Sequence, residues 1–178
     1  MQFFFEVLIG GLLSGVMYSL VALGFVLIYK ASGVFNFAQG AMVFFAALTF
    51  VGITEMGVPF GFALILALGA MILLAIATER VVLRPLVNQP QITLFMATIG
   101  LTFLVEGLAQ GMWGASVRGL EIPGIQDEPL EWMMENTGIG VSKFDLFAAG
   151  VSAVLVAVLA VFFNKTRVGR ALRAVADD

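Results

Sequence analysis

Four polar side chains recur at every fourth position inside one apolar stretch of this chain. They are Thr98, Thr102, Glu106 and Gln110. Residues four apart share a helix face, so this spacing predicts a polar stripe that points into protein or water. An ionisable group such as Glu106 is costly inside a membrane span and usually faces a bundle interior or an aqueous cavity. Glu106 is therefore a candidate pathway residue or proton site. The alternative is a carboxyl that is protonated, hydrogen-bonded to neighbouring helices, or hydrated near the membrane surface.

A second group of polar residues lies where the second apolar stretch of the chain begins. It consists of Ser32, Asn36 and Gln39. Asn36 followed three residues later by Gln39 resembles a capping box, in which two side chains satisfy each other's backbone N–H groups. The pattern predicts that a helix begins here. A helix N-terminus inside the protein offers free N–H groups and a positive dipole end to a polar part of a substrate. The alternative is that the three residues only cap a helix at the membrane surface.

Other kinds of site have little support in the composition. The chain has no cysteine and no histidine, which excludes disulfides and the usual transition-metal ligands. We expect no catalytic group, no metal and no cofactor, because Glu106 is the only plausible acid within a span. A net charge of −3 offers no basic face for nucleic acid.

Five apolar segments position these residues. Hydrophobic residues make up 61% of the chain, charged residues 12%, and the mean hydropathy is +1.05, which excludes a soluble domain. The sequence predicts an all-α, polytopic membrane helix bundle with a transmembrane core over 1–163. The second segment is short enough to be tilted, broken or re-entrant. The predicted spans are about 7–29, 38–54, 58–78, 92–112 and 146–163.

Basic residues predict the orientation, because lysine and arginine near span ends tend to stay cytoplasmic. With the N-terminus outside, only Arg118 and Lys143 of the 9 basic residues lie on the outer side. The C-terminus is then cytoplasmic, and 113–145 is an outer loop. Arg84 and Pro85 are expected to end the third helix, since proline disfavours helical geometry in the residue before it.

The segment 164–178 differs from the spans. Its apolar residues have the spacing of an amphipathic helix, and three arginines cover the opposite side. The apolar face fits either the lipid surface or a groove on a partner protein. The apolar set is Val168, Ala171, Leu172 and Val175, and the basic set is Arg167, Arg170 and Arg173.

Glycines four residues apart occur in two predicted spans, as Gly11 and Gly15 and as Gly107 and Gly111. Such pairs let helix backbones approach closely. They predict tight helix packing, with a narrow pathway as the alternative.

Four segments, in their order along the chain, resemble one family of membrane proteins. They are 29–40, 79–86, 98–101 and 169–174. The family is the inner-membrane permease subunit of branched-chain amino acid ABC importers, the LivH type, and the resemblance covers nearly the whole chain. Its most specific marker is the run Gly-Val-Phe-Asn-Phe-Ala-Gln-Gly at 33–40. Many members carry histidine where Gln39 stands and an acidic residue where Ala41 stands.

The resemblance implies a multi-pass permease that moves branched-chain amino acids across the bacterial inner membrane. Its implied partners, besides membrane lipid, are a second permease, two cytosolic ATP-binding subunits and a periplasmic substrate-binding protein. ATP hydrolysis belongs to those partners, so the chain is not an enzyme, and it has no Gly-rich phosphate-binding lysine loop. Permeases for urea and short amides resemble the same family and give the alternative substrate. A nucleotide-independent channel is the alternative mechanism.

In this family the stretch 169–178 opens the cytoplasmic loop that couples the permease to the ATPase, and further spans follow it. The sequence ends within that motif, so we expect a fragment or a truncated product. The resemblance assigns ATPase coupling to Arg167, Gly169, Arg170, Leu172 and Arg173.

Overall fold

The computed structural model describes residues 2–120, 128–131, 134, 135, 138 and 140–166, and its regular structure is helical. The helices are α1 (Gln2–Ser32), α2 (Gln39–Glu55), α3 (Phe60–Ala77), α4 (Gln91–Trp113) and α5 (Lys143–Lys165). α2 is a shorter apolar helix of 17 residues. The predicted polytopic membrane helix bundle is confirmed. Within the described ranges, four stretches are long and apolar enough to cross a membrane, namely Phe3–Lys30, Phe60–Leu86, Gln91–Trp113 and Lys143–Phe163.

Glycines end two of these helices. Gly33 follows α1 with φ 69° and donates its N–H to the carbonyl of Tyr29 at 2.7 Å. Gly114 follows α4 with φ 84° and donates to the carbonyl of Gln110 at 2.8 Å. This left-handed backbone costs other residues about 1–2 kcal/mol, and it satisfies a carbonyl that the helix end would otherwise leave exposed. The two glycines therefore fix where α1 and α4 stop.

The third helical stretch ends at Leu86, one residue after Pro85, so its end lies within a residue of the predicted one, although the residue before the proline keeps helical geometry. α3 passes into a π-helical turn, Thr78–Leu83, and then into a 3-10 turn, Arg84–Leu86. Arg84 keeps helical dihedrals, φ −62° and ψ −42°, and donates its N–H to the carbonyl of Glu79, five residues back. The wider turn changes the hydrogen-bond register just before the proline. Pro85 thus falls in the first turn of the next segment, where its missing N–H is not needed.

One compact unit comprises Val34–Leu120, which we call the second unit. In it α2 packs against α3 on one side and against α4 on another. Three of the core residues are alanines, and such small side chains let membrane helices approach closely enough for extensive van der Waals contact. Its buried core consists of Ala38, Ala41, Phe45 and Leu48 from the α2 region and Leu101, Val105 and Ala109 from α4.

The first unit comprises Met1–Gly33 with Glu121–Asp178, and in it α1 packs against α5. Ser142 caps α5, since its hydroxyl accepts from the N–H groups of Phe144 and Asp145 at 3.1 and 3.4 Å. A carboxylate oxygen of Glu6 accepts from the N–H of Gly140 at 2.8 Å. The beginnings of α1 and α5 are thus joined, as the predicted topology requires. Which side of the membrane they face stays a prediction.

Candidate functional site

The predicted polar stripe lies on α4, and we call Thr98, Thr102, Glu106 and Gln110 its polar edge. Thr98 is 1% exposed and donates its hydroxyl to the carbonyl of Phe95 at 2.9 Å. Thr102 donates to the carbonyl of Thr98 at 3.0 Å. Both hydroxyl protons are therefore used inside the helix, while each oxygen can still accept a hydrogen bond.

Burial falls steadily along the polar edge. Thr98 is buried, Thr102 and Glu106 are half-buried, and Gln110 is exposed. With 3.6 residues per turn, each four-residue step advances about 40° around the helix, so Gln110 lies about 120° from Thr98. The edge therefore winds away from the face that α4 packs against α2. Glu106 and Gln110 are left accessible on the second unit, where they can contact a solute or another element.

The second candidate group lies where α2 begins. α2 begins at Gln39 with Ala38 at its N-cap, which confirms the predicted helix start. The capping box is not formed as predicted. The side-chain oxygen of Asn36 accepts a hydrogen bond from the N–H of Ala38 at 3.1 Å. The backbone carbonyl of Asn36 accepts one from the N–H of Gln39 at 3.2 Å. The short side chain of asparagine favours this bond two residues on, which forms an Asx turn. The side chain of Ser32 lies outside the described residues.

The two groups meet at only one end. The rings of Phe37 and Phe95 contact edge to face with centroids 4.7 Å apart, so the beginning of α2 lies against the first turns of α4. Gln39, 8% exposed, and Thr98 both belong to this end. Glu106 lies eight residues further along α4, or about 12 Å by helix rise. The candidate residues thus extend along the helix pair instead of forming one pocket.

The other end of the pair contains contacts that the sequence did not reveal. The ring of Trp113 lies on Gly52, and its indole N–H donates to the hydroxyl of Thr49 at 3.3 Å. Arg118 forms an ion pair with Glu55 and donates to the carbonyl of Trp113. We call these five residues the C-terminal clamp. No periodicity marks them, since the contacts between the two helix ends join positions 61 to 64 residues apart.

Two further sets of predicted residues have limited structural description. The proposed coupling residues Arg167, Gly169, Arg170, Leu172 and Arg173 lie outside the described residues. A Cβ added at Gly107 or Gly111 would meet no atom within 4 Å, and the same holds at Gly11 and Gly15. The close packing predicted at these glycines is therefore not made by the described part of this chain.

The arrangement offers hydrogen bonds along a helix. Within the described ranges no group of three acidic residues could hold a metal ion. A half-buried carboxyl at Glu106 and an exposed amide at Gln110 can bind the polar end of a solute. These groups can form hydrogen bonds with a polar solute that moves along α4.

Comparison with known proteins also indicates a membrane transport protein. Residues 7–178 match the model of a family described as the permease component of the branched-chain amino acid transport system. The chain is 24% identical over 188 residues to LivH, the high-affinity branched-chain amino acid transport system permease protein of Escherichia coli K12. It is 25% identical over 187 residues to the protein of the same description, BraD, of Pseudomonas aeruginosa.

Both alignments cover nearly all of this chain, 99% and 98% respectively, and 60% of each relative. The chain therefore spans about three-fifths of the length of the curated relatives it matches. No solved structure matches it.

Proposed function

This chain belongs to the family of branched-chain amino acid transport permease components, and from that premise we propose that it is a membrane-spanning subunit of an ATP-driven importer of branched-chain amino acids. The observation that carries the proposal is the family match over 7–178, supported by the four membrane-length stretches in the part of the chain that the structure describes. The family consists of transport permeases, so the chain is not an enzyme. We place it in the bacterial inner membrane.

The proposed importer takes its energy from partners. A second permease completes the translocation path, two cytosolic subunits bind and hydrolyse ATP, and a periplasmic protein delivers the amino acid. Net work arises because ATP binds one of two conformations of the assembly more tightly than the other. The segment 167–173 carries the basic and apolar residues proposed to receive the motion of the ATPase.

The polar edge of α4 is the proposed contribution of this chain to the path. A carboxyl inside a span is costly against lipid, so the side of α4 that bears Glu106 should face protein or water. On the second unit Glu106 is half-buried and Gln110 exposed, which leaves both within reach of a passing solute. Their hydrogen-bonding groups suit the charged end of an amino acid.

Transport is tested by uptake of labelled leucine into proteoliposomes that contain the permease, its partner subunits and the binding protein. We expect uptake that requires internal ATP and that unlabelled isoleucine or valine reduces. Uptake of urea instead of leucine would keep the importer and change its substrate. Flux without nucleotide would refute the ATP-driven mechanism and indicate a channel.

A further inference from the structure

The helices α2 and α4 are joined at both ends and along the core between them. Phe37 and Phe95 contact at the end where both helices begin. Trp113 lies on Gly52 at the opposite end. Between these points the buried side chains of the second unit pack continuously from one helix to the other. Packed interfaces of this kind tend to move as rigid bodies instead of deforming gradually.

The C-terminal clamp fixes the rotation of α4 as well as its distance from α2. The indole ring fills a space that is open only because position 52 has no side chain, and its N–H adds a directional bond to Thr49. Arg118 then connects Glu55 with the carbonyl of Trp113. A turn of α4 about its axis would break the ring contact with Gly52 and the bond to Thr49. Since Glu106 lies seven residues before Trp113, or about two helical turns, its direction is fixed too.

The ion pair of the clamp is better sheltered than the comparable pair of the first unit. The side chains of Arg118 and Glu55 are 22% and 48% exposed, against 40% and 56% for Lys143 and Glu128, whose charged atoms are 3.7 Å apart. Exposed pairs contribute little because water and salt screen them. The clamp pair is also tied to a helix C-terminus, where a cation is favoured.

We propose that Trp113 and Arg118 are positioning residues that keep α2 and α4 together as one rigid pair throughout the transport cycle, and thereby hold Glu106 in a fixed direction. This inference rests on the proposed function. The conformational change of the importer then takes place between this pair and other elements, and the ends of α2 and α4 do not separate as a gate.

Chemical crosslinking can test this directly, because the chain has no native cysteine. Met56→Cys/Gly119→Cys places two thiols on exposed residues beside the ion pair and leaves the pair intact. A short bis-methanethiosulfonate reagent then joins the end of α2 to the segment that follows α4, and a reductant releases them. Each single-cysteine variant treated with the same reagent is the matched control. Mass spectrometry gives the crosslinked fraction.

The rigid pair predicts that ATP-dependent leucine uptake by the crosslinked protein equals that of the reduced protein. Loss of uptake on crosslinking, restored by the reductant and absent from both controls, would overturn the proposal and identify a gate at this point. Failure of the proposed function is distinguishable, because the unmodified cysteine-free protein would then show no ATP-dependent uptake at all.

A second measurement tests positioning separately from stability. Trp113→Ala should raise the KM for leucine in the native protein, because Glu106 loses its fixed direction. The same change made in the Glu106→Gln background should raise KM no further. Equal increases in both backgrounds would show that Trp113 does not act through Glu106 and would overturn its role as a positioning residue. Trp113→Phe, which keeps an aromatic ring but loses the N–H and the second ring of the indole, should have an intermediate effect.

Discussion

Replacement of Gly52 by alanine tests the packing of α2 on α4. A Cβ at position 52 would lie 2.6 Å from Cδ2 of Trp113 and closer still to Cε3. Ordinary carbon–carbon contact needs about 3.5–4.0 Å, so the ring must withdraw by about 1 Å or more. Overpacking of this kind costs about 1–3 kcal/mol. Loss of the bond to Thr49 adds about 0.5–1.5 kcal/mol. The better helix propensity of alanine returns about 0.5–1 kcal/mol.

The net expectation is a loss of about 0.5–4 kcal/mol in the free energy of unfolding. Equilibrium unfolding by a denaturing detergent in mixed micelles measures it. Gly69→Ala is the matched control, since a Cβ there meets no atom within 4 Å and α3 should gain from the alanine.

A double-mutant cycle makes the result specific to the ring. Gly52→Ala should cost nothing in a Trp113→Ala background, where the space is empty. We call the space above Gly52 that the indole of Trp113 fills the notch. Equal destabilisation with and without the indole would refute this notch. So would a Gly52→Ala variant as stable as Gly69→Ala.

Three further predictions follow from local geometry. Ser142→Ala should destabilise α5 by about 1 kcal/mol, because the two N–H groups at the helix start lose their acceptor. Ser142→Asp should not, because aspartate can also accept them. Equal unfolding curves for the two variants would contradict this. Asn88 has φ 72°, so Asn88→Val should cost about 1–2 kcal/mol while Asn88→Gly is tolerated, as thermal unfolding would show; a stable valine variant would count against the left-handed backbone. Glu106→Gln should lower leucine uptake about tenfold, the loss expected for a hydrogen bond to a charged group. Glu135→Gln, on an exposed position of the predicted outer loop, should not. Native rates in both variants would remove Glu106 from the path.

The apolar segments predicted the helices well and their ends less well. The predicted spans at 7–29 and 146–163 lie inside longer helices, Gln2–Ser32 and Lys143–Lys165. Hydropathy reports the part of a helix that suits lipid, whereas the helix itself ends at its caps. Gly33 and Ser142 are such caps, and both are visible in the sequence only once the helix is known.

Pro85 shows a different limit of sequence reasoning. The rule that proline stops a helix assumes an α-helical register up to that point. Here the register changes first, within Thr78–Leu83, and the proline falls where a helical segment accepts it. A π turn depends on packing along the whole stretch, which no local pattern shows.

The candidate site was predicted in part. Regular spacing predicts that Thr98, Thr102, Glu106 and Gln110 lie along one edge of a helix, and helix geometry alone explains why their burial declines. Among the described residues, by contrast, no atom lies within 4 Å of a Cβ added at the regularly spaced glycines, whereas the isolated Gly52 lies against a tryptophan ring. A tertiary contact requires glycine at position 52. Its partner, Trp113, lies 61 positions further along the chain, beyond the reach of any local sequence pattern.

The notch at Gly52 also constrains how this region can change during evolution. A larger residue at position 52 leaves no room for an indole at 113, and a smaller residue at 113 leaves a void beside the glycine. The two positions should therefore covary among relatives, with glycine at 52 accompanying tryptophan at 113. A similar pairing should hold for the opposite charges at 55 and 118. A change of either residue pair, 52 with 113 or 55 with 118, should pass through single substitutions that are less stable than the starting pair and the final pair.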